Sequence, residues 1–370
     1  MNTTLNLFSI KHNSGSPFLS FSAINSFYIN KARSKSGIAA FLYTSGSFNS
    51  IQVHESHFSK YLAPSLHIET GIFSGIFYSP VIVLKDSLYE KMKRMNEFEN
   101  GGAIVISNIH VDFRVFGCSF VECMTSFKGG AIFSRTCSVS MKKVCFLSCY
   151  AGVEGQATYL QSSNLTVDSI HLFYCSGGAK LGQAMSFVSL NGSVHMEQSN
   201  FTHNRNAFRT PGFYIDTDYF IYMQYFNMQR LESEDGATFF ISGLHNSCRM
   251  RRGNFISLPV RPEFRLFFIY LSSNTTEPSI EICNFVNITA TFVAIAFSKP
   301  LNPGCALHFS KCKFDGSIGI WRPGTHINCE FAMKSVPTIQ IEDNFENILH
   351  PQAKPLYLHI SLVMAFLYFI

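Results

Sequence analysis

The sequence predicts an all-β chain, a right-handed parallel β-helix of about 12 coils with a period of 25–31 residues. Three observations predict it. A phenylalanine returns at that period, a Gly-Gly-Ala-Ile element returns in phase with it, and the runs between them alternate like short strands. Composition agrees. Of 370 residues 46% are hydrophobic and only 14% charged, which is too apolar for wholesale disorder and too poorly charged for a long coiled coil. The net charge of +5 is spread along the chain and implies no nucleic-acid partner.

The first anchor is a Phe preceded by Asn, Cys or another short residue. It is read at Phe27, Phe58, Phe120, Phe146, Phe173, Phe201, Phe226, Phe255, Phe285, Phe314 and Phe345. Steps from Phe120 onward are 26, 27, 28, 25, 29, 30, 29 and 31, and the gap of 62 between Phe58 and Phe120 holds two steps with Leu88 near its middle. These rings are expected to point inward as a stacked ladder, each pair gaining about 0.5–1.5 kcal/mol beyond its buried area.

The second anchor stands as Gly101-Gly102-Ala103-Ile104 and Gly129-Gly130-Ala131-Ile132, then as worn copies around Ala157 and Ala184. The alanines are expected in a narrow part of the core where a larger side chain would overpack. The glycines before them are expected at a sharp or positive-φ bend.

Strand-like alternation is read over 139–146, 187–196 and 280–285, with Ser/Asn/Gly turns such as 161–164 and 272–274 between runs. Helical repeats need two capped helices per unit, propeller blades need about 40 or more residues, and leucine-rich repeats need a Leu/Asn ladder that is absent. Stacking twelve coils about 4.8 Å apart gives a rod roughly 55–60 Å long. The repeat domain is placed at 1–350. Residues 356–370 form an apolar tail, open to three readings: a truncated transmembrane segment, the tail of a lipid-anchor signal, or a buried cap. No signal peptide is visible at the start of the chain.

The paired elements Gly-Gly-Ala-Ile and Phe-x-x-Asn, the latter at Phe201-Thr202-His203-Asn204, resemble the repeats of the chlamydial polymorphic outer membrane protein family. They also resemble cysteine-containing surface proteins of trichomonad protists. The resemblance implies a right-handed, pectin-lyase-like β-helix displayed at a cell surface or membrane and used in adhesion. It also implies a macromolecular partner such as a glycan or a host or cell-surface protein. No outer-membrane barrel is evident at the C-terminus, unlike the bacterial family.

Cys118 and Cys145 lie just before Phe anchors, and Cys123, Cys149 and Cys175 just after them. Two readings stay open for these five, small buried fillers of a ladder or disulfides between coils. Their strand context lacks the turn of a zinc knuckle, so no metal and no cofactor is expected. Sequons at Asn164, Asn191 and Asn274 are candidate glycosylation sites.

β-Helices often act on polysaccharides, and such chemistry needs two carboxylates about 5–9.5 Å apart or a base with cationic partners. The candidate acids are Asp216, Asp218 and Asp235, with Glu232 and Glu234 near them and His203, Arg205, Arg209 and His245 as cations. The expected function is a non-enzymatic surface or structural protein, adhesive or glycan-binding. The alternatives are a polysaccharide lyase or glycosidase, and a fragment of a larger repeat protein with no function of its own.

Overall fold

The computed structural model describes residues 2–11, 16–69, 79–94, 100–177, 187–206, 211–217, 219–233, 239–244, 248–258, 265–271, 278–288, 292–298, 307–315 and 324–329. The fold is a right-handed parallel β-helix. Thirty strands join in one hydrogen-bonded network, and two smaller sheets of three strands each close a further side. Phe345, Asp218, Asp235, Ala184, Asn274 and the tail 356–370 lie outside the described residues.

The long wall strands alternate apolar-in and polar-out, as a half-buried parallel sheet requires. Their deepest inner column runs Leu5, Ile29, Val53, Leu84, Val115, Met141, Val167, Met196, Met223, Met250, Ile280 and Phe309, each in register with the next. From Ile29 onward these side chains are almost wholly buried.

The aromatic column sits on a second short stretch in each coil, a separate strand such as Leu88–Glu90 in some coils and the last part of a long strand such as Ile132–Leu147 in others. It runs Ile10, Ser34, Phe58, Tyr89, Phe120, Phe146, Leu172, Phe201, Met228, Phe255, Phe285 and Phe314. Rings stack face to face where they are consecutive. Tyr89–Phe120 lies at 4.9 Å and 8°, Phe120–Phe146 at 5.1 Å and 12°, and Phe285–Phe314 at 4.6 Å and 10°.

Three anchors of the sequence reading sit elsewhere. Leu172, not Phe173, pairs with Phe146 and Phe201, so Phe173 points to the outer side and packs edge-on against Tyr174 at 4.4 Å. Met228, not Phe226, holds the next place. Phe226 is buried two residues earlier, opposite Ser199 and edge-on to Phe255 at 5.3 Å. Phe27 belongs to a wall strand and pairs with Ile51. In the long gap the column residue is Tyr89, beside the expected Leu88.

Each short strand is bracketed by left-handed residues. One stands three positions before the column residue and one two positions after. Glu55 (φ 45°) and Lys60 (58°) flank Phe58, Lys143 (54°) and Ser148 (51°) flank Phe146, and Arg252 (52°) and Ser257 (50°) flank Phe255. The same pair flanks Leu172 at Ser169 and Tyr174, and Met228 at Tyr225 and Arg230. Two such residues per coil turn the chain sharply and let only about three ladder residues fit between them.

The glycine anchor has two distinct jobs. The first glycine takes positive φ, at Gly101 (65°), Gly129 (72°) and Gly155 (67°). The second lies too close to the next coil for a side chain, since a Cβ on Gly130 would fall 2.0 Å from the Gln156 carbonyl oxygen. Ala103, Ala131 and Ala157 follow, all fully buried, with the Ala103 N–H donating to Ala131 O and the Ala131 N–H to Ala157 O, both at 2.9 Å.

Candidate functional site: one outer wall

The outer face of the wall strands carries two lines of side chains, because every second residue points away from the core. On Ser193–Thr202, Ile221–Gln229, Cys248–Arg251 and Ser279–Glu281 the first line is His195, Tyr222, Arg249 and Ser279. The second, two residues further along each strand, is Glu197, Gln224, Arg251 and Glu281.

These side chains bind one another across the coils. His195 Nε2 and Glu197 Oε1 are 3.0 Å apart. Gln224 Nε2 donates to the same oxygen at 2.5 Å, and Tyr222 Oη donates to Gln224 Oε1 at 2.7 Å. The His195 and Tyr222 rings lie 5.1 Å apart at 30°. One coil on, Arg249 grips Glu281 with two bonds, Nε to Oε1 at 2.7 Å and Nη2 to Oε2 at 2.9 Å. Arg251 Nε stands 3.0 Å from Glu281 Oε2. Burial alone would raise the Glu281 pKa, but the Arg249 hydrogen bond and the two guanidinium charges outweigh it and hold the carboxyl below its usual range. Glu281 in turn raises Arg249. Further toward the N-terminus Lys142 and Asp168 pair at 2.8 Å on the same wall.

Of the acids singled out from sequence, Asp216 and Glu232 fall among the described residues, and Asp218, Glu234 and Asp235 do not. Asp216 ends the strand Phe213–Asp216, between Leu190 and Ser242 of the neighbouring coils. Glu232 is in one of the small sheets, beside Arg205 in the preceding coil at 3.7 Å. His203 meets Arg230 Nη1 at 3.0 Å, and burial together with that charge lowers its pKa.

The five cysteines divide among three positions. Cys123, Cys149 and Cys175 each stand three residues past the column residue and stack in successive coils, with the Tyr150 N–H donating to Cys123 O at 2.9 Å. Cys118 precedes Phe120 by two residues and Cys145 precedes Phe146 by one, so they are not equivalent. None of the five is joined to another cysteine in this structure. Burial pushes Cys118 up to about 12, and raises Cys145, Cys149 and Cys175 as well. Among the described residues no group of three His, Cys, Asp or Glu side chains is placed to hold a metal ion.

Asn164 is exposed and accepts a hydrogen bond from Ser193 Oγ at 2.9 Å, while Asn191 is exposed at a turn with φ 68°. Among the described residues no helix is long and apolar enough to cross a membrane.

The His195–Glu281 wall was not singled out from sequence. Its signal was present, since His195, Tyr222, Arg249 and Ser279 follow one another by 27, 27 and 30 residues, the period of the coil. Reading it requires knowing which alternate residues face outward, and that depends on the register of each strand.

No family model matches the chain, and neither the characterised proteins nor the solved structures compared with it include a match. Kinship with the bacterial and protist surface families therefore finds no support in these comparisons, and the β-helix stands on the strand pairing itself.

Proposed function

We propose that this chain is a rigid non-enzymatic scaffold of the surface-displayed, adhesive kind, and that it binds glycan on the wall from His195 to Glu281. The observation that carries this reading is the composition and state of that wall. Aromatic rings, a carboxamide and a guanidinium recur on adjacent coils at one face, which is the chemistry that stacks on sugar rings and bonds their hydroxyls. The carboxylates there are held by His195, Gln224 and Arg249, an arrangement that suits holding a ligand better than moving a proton. A solenoid offers such a face over several coils at once, so weak single contacts add along an extended chain.

A glycan array probed with the whole protein tests this. Binding to a subset of glycans is expected, with at least about a tenfold weaker signal for Tyr222→Ala and for Arg249→Ala, because each removes a central aromatic or bidentate contact. Both variants should melt near the parent temperature, since both side chains face outward. No binding on a broad array, or binding unchanged in both variants, overturns the reading.

A further inference from the structure

One corner of the solenoid is cysteine three times in succession. Cys283, Cys312 and Cys329 each directly follow a left-handed residue, Ile282 (φ 55°), Lys311 (53°) and Asn328 (53°). Asn284 pairs with Lys313, and the Lys313 N–H donates to Cys283 O at 2.9 Å. On the other side Ser310 pairs with Ile327, which sets Cys312 beside Cys329. In-register neighbours in adjacent parallel strands lie about 4.8 Å apart, inside the Cα range of a disulfide.

The three sulfurs stand in a line instead of converging on a point, and no metal-holding group is found among the described residues. The chemistry open to a line of thiols is pairwise. The stack also has one accessible end. Cys283 and Cys312 are buried, while Cys329 is half-buried. The Cys123–Cys149–Cys175 stack has the same spacing but no such end, all three being buried.

We propose that Cys312 and Cys329 form a thiol–disulfide switch that takes a small disulfide such as glutathione disulfide as oxidant and staples neighbouring coils. The Cys329 thiolate attacks one sulfur of glutathione disulfide. The S–S bond breaks, one glutathione thiolate leaves, and a mixed disulfide remains on Cys329. The Cys312 thiolate then attacks Cys329 Sγ and expels the second glutathione. Two electrons pass from the cysteines to the oxidant, and the two protons lost by the cysteines end on the two released glutathiones. Excess reduced glutathione runs the sequence backward. The internal attack is favoured at Cys312, whose pKa is lowered first by a hydrogen bond with the Cys283 thiol and then, against the cost of burial, by backbone hydrogen bonds at Cys283 and Ser310. Burial and the neighbouring Cys312 leave Cys283 protonated.

Cys137 supplies a control within the molecule. It is also half-buried, and its Sγ lies 3.0 Å from Val111 O. The flanking pairs Thr136–Ser162 and Ser138–Asn164 put Ser163 in the neighbouring coil, so no second thiol waits there.

The test is the whole chain carrying Cys305→Ser, which removes a thiol outside the described residues, incubated with glutathione disulfide, alkylated and followed by intact mass and peptide mapping. Expected are a Cys312–Cys329 cross-link with loss of two hydrogens, a glutathione adduct that persists on Cys137, and alkylation of Cys123, Cys149 and Cys175 only after unfolding. Cys312→Ser should convert the cross-link into a lasting glutathione adduct at Cys329. Cys329→Ser, at a half-buried place that leaves the core intact, should give neither cross-link nor adduct at Cys312. A Cys283–Cys312 link, a persistent Cys329 adduct in the parent chain, or oxidation of the buried stack at the same rate overturns the proposal.

Discussion

Two stretches of the aromatic column hold the same backbone place with different side chains. From Phe58 to Phe146 four aromatic rings follow one another at 5.5, 4.9 and 5.1 Å, within 15° of parallel. From Leu172 to Met228 the same line is Leu, Phe and Met, all fully buried and with no two column rings in succession. The left-handed residues stay in place through both stretches: Lys143 and Ser148 around Phe146, Ser169 and Tyr174 around Leu172, Tyr225 and Arg230 around Met228. The backbone corners therefore set the register, and the column takes whatever large apolar side chain fills the space. Stacking is an added gain where two rings happen to be consecutive.

The largest test of that division is Phe120→Ala set beside Phe173→Ala. Phe120 is fully buried between Tyr89 and Phe146, so its loss removes a core ring and two stacked contacts. We expect about 3–5 kcal/mol of destabilisation in a denaturant titration. Phe173 is half-buried outside the column, and its loss should cost less than about 1 kcal/mol. Equal losses at the two sites would show that spacing, not register, identifies the ladder.

That contrast also marks what the sequence made legible. The fold was readable because an aromatic period and a glycine period coincide, and only stacked coils satisfy both. Phe120, Phe146, Phe201, Phe255, Phe285 and Phe314 all sit in the column. Phe173 and Phe226 misled because a one- or two-residue slip hides within a period that itself varies from 25 to 31. A better marker stood beside them. Asn200, Asn227, Asn254 and Asn284 precede the column residues, and the Asn227 side chain donates to Asn200 Oδ1 at 3.2 Å and the Asn284 side chain to Asn254 Oδ1 at 3.1 Å. Asn227 thus points to Met228, whose lack of a ring hid it. The corners were not legible, since Lys, Glu, Ser and Arg at left-handed positions carry no sequence mark. The wall from His195 to Glu281 stayed hidden for the same reason, because its outward lines follow from that register.

The aromatic stretch also has an outer, charged side, and pH separates its contribution from that of the rings. Glu90 follows Tyr89 directly on the strand Leu88–Glu90. The His57 ring, whose Nε2 stands 3.4 Å from its carboxylate, and the nearby Lys91 outweigh burial and lower its pKa to about 2. The folded carboxyl is thus more acidic than the unfolded one. Its contribution is complete above the unfolded value of about 4.5 and is lost as pH falls from there toward about 2. Because the carboxyl is only partly buried, screening reduces the effect to about 1 kcal/mol. Denaturant titrations at pH 6 and pH 3 should show Glu90→Gln flattening the acid-side loss while Phe120→Ala leaves its slope unchanged. If Glu90→Gln left that slope as steep as in the parent, the His57 and Lys91 contacts would not hold the carboxyl.

The smallest effect separates the corners from the column most cleanly. Gly117 and Lys143 occupy the same corner in adjacent coils, before Phe120 and Phe146, with φ 60° and 54°. Phe116 pairs with Lys142, and the Gly117 N–H donates to Lys142 O at 2.9 Å, so the two corners are in register. An L-residue in this region costs about 1–2 kcal/mol, and glycine gives back about 0.5–1 kcal/mol through its freer unfolded chain. Lys143 is exposed, so Lys143→Gly loses no core contact and should stabilise by about 0.5–1 kcal/mol. Gly117→Ala should destabilise by about 1 kcal/mol or more, because its new Cβ would also fall 2.2 Å from Asp86 Oδ1. Opposite signs from two substitutions at one corner would locate the strain in the turn and leave the stacked rings untouched. A loss of stability in Lys143→Gly would mean that its side chain, not the backbone, holds the corner, and the register would then rest on the column after all.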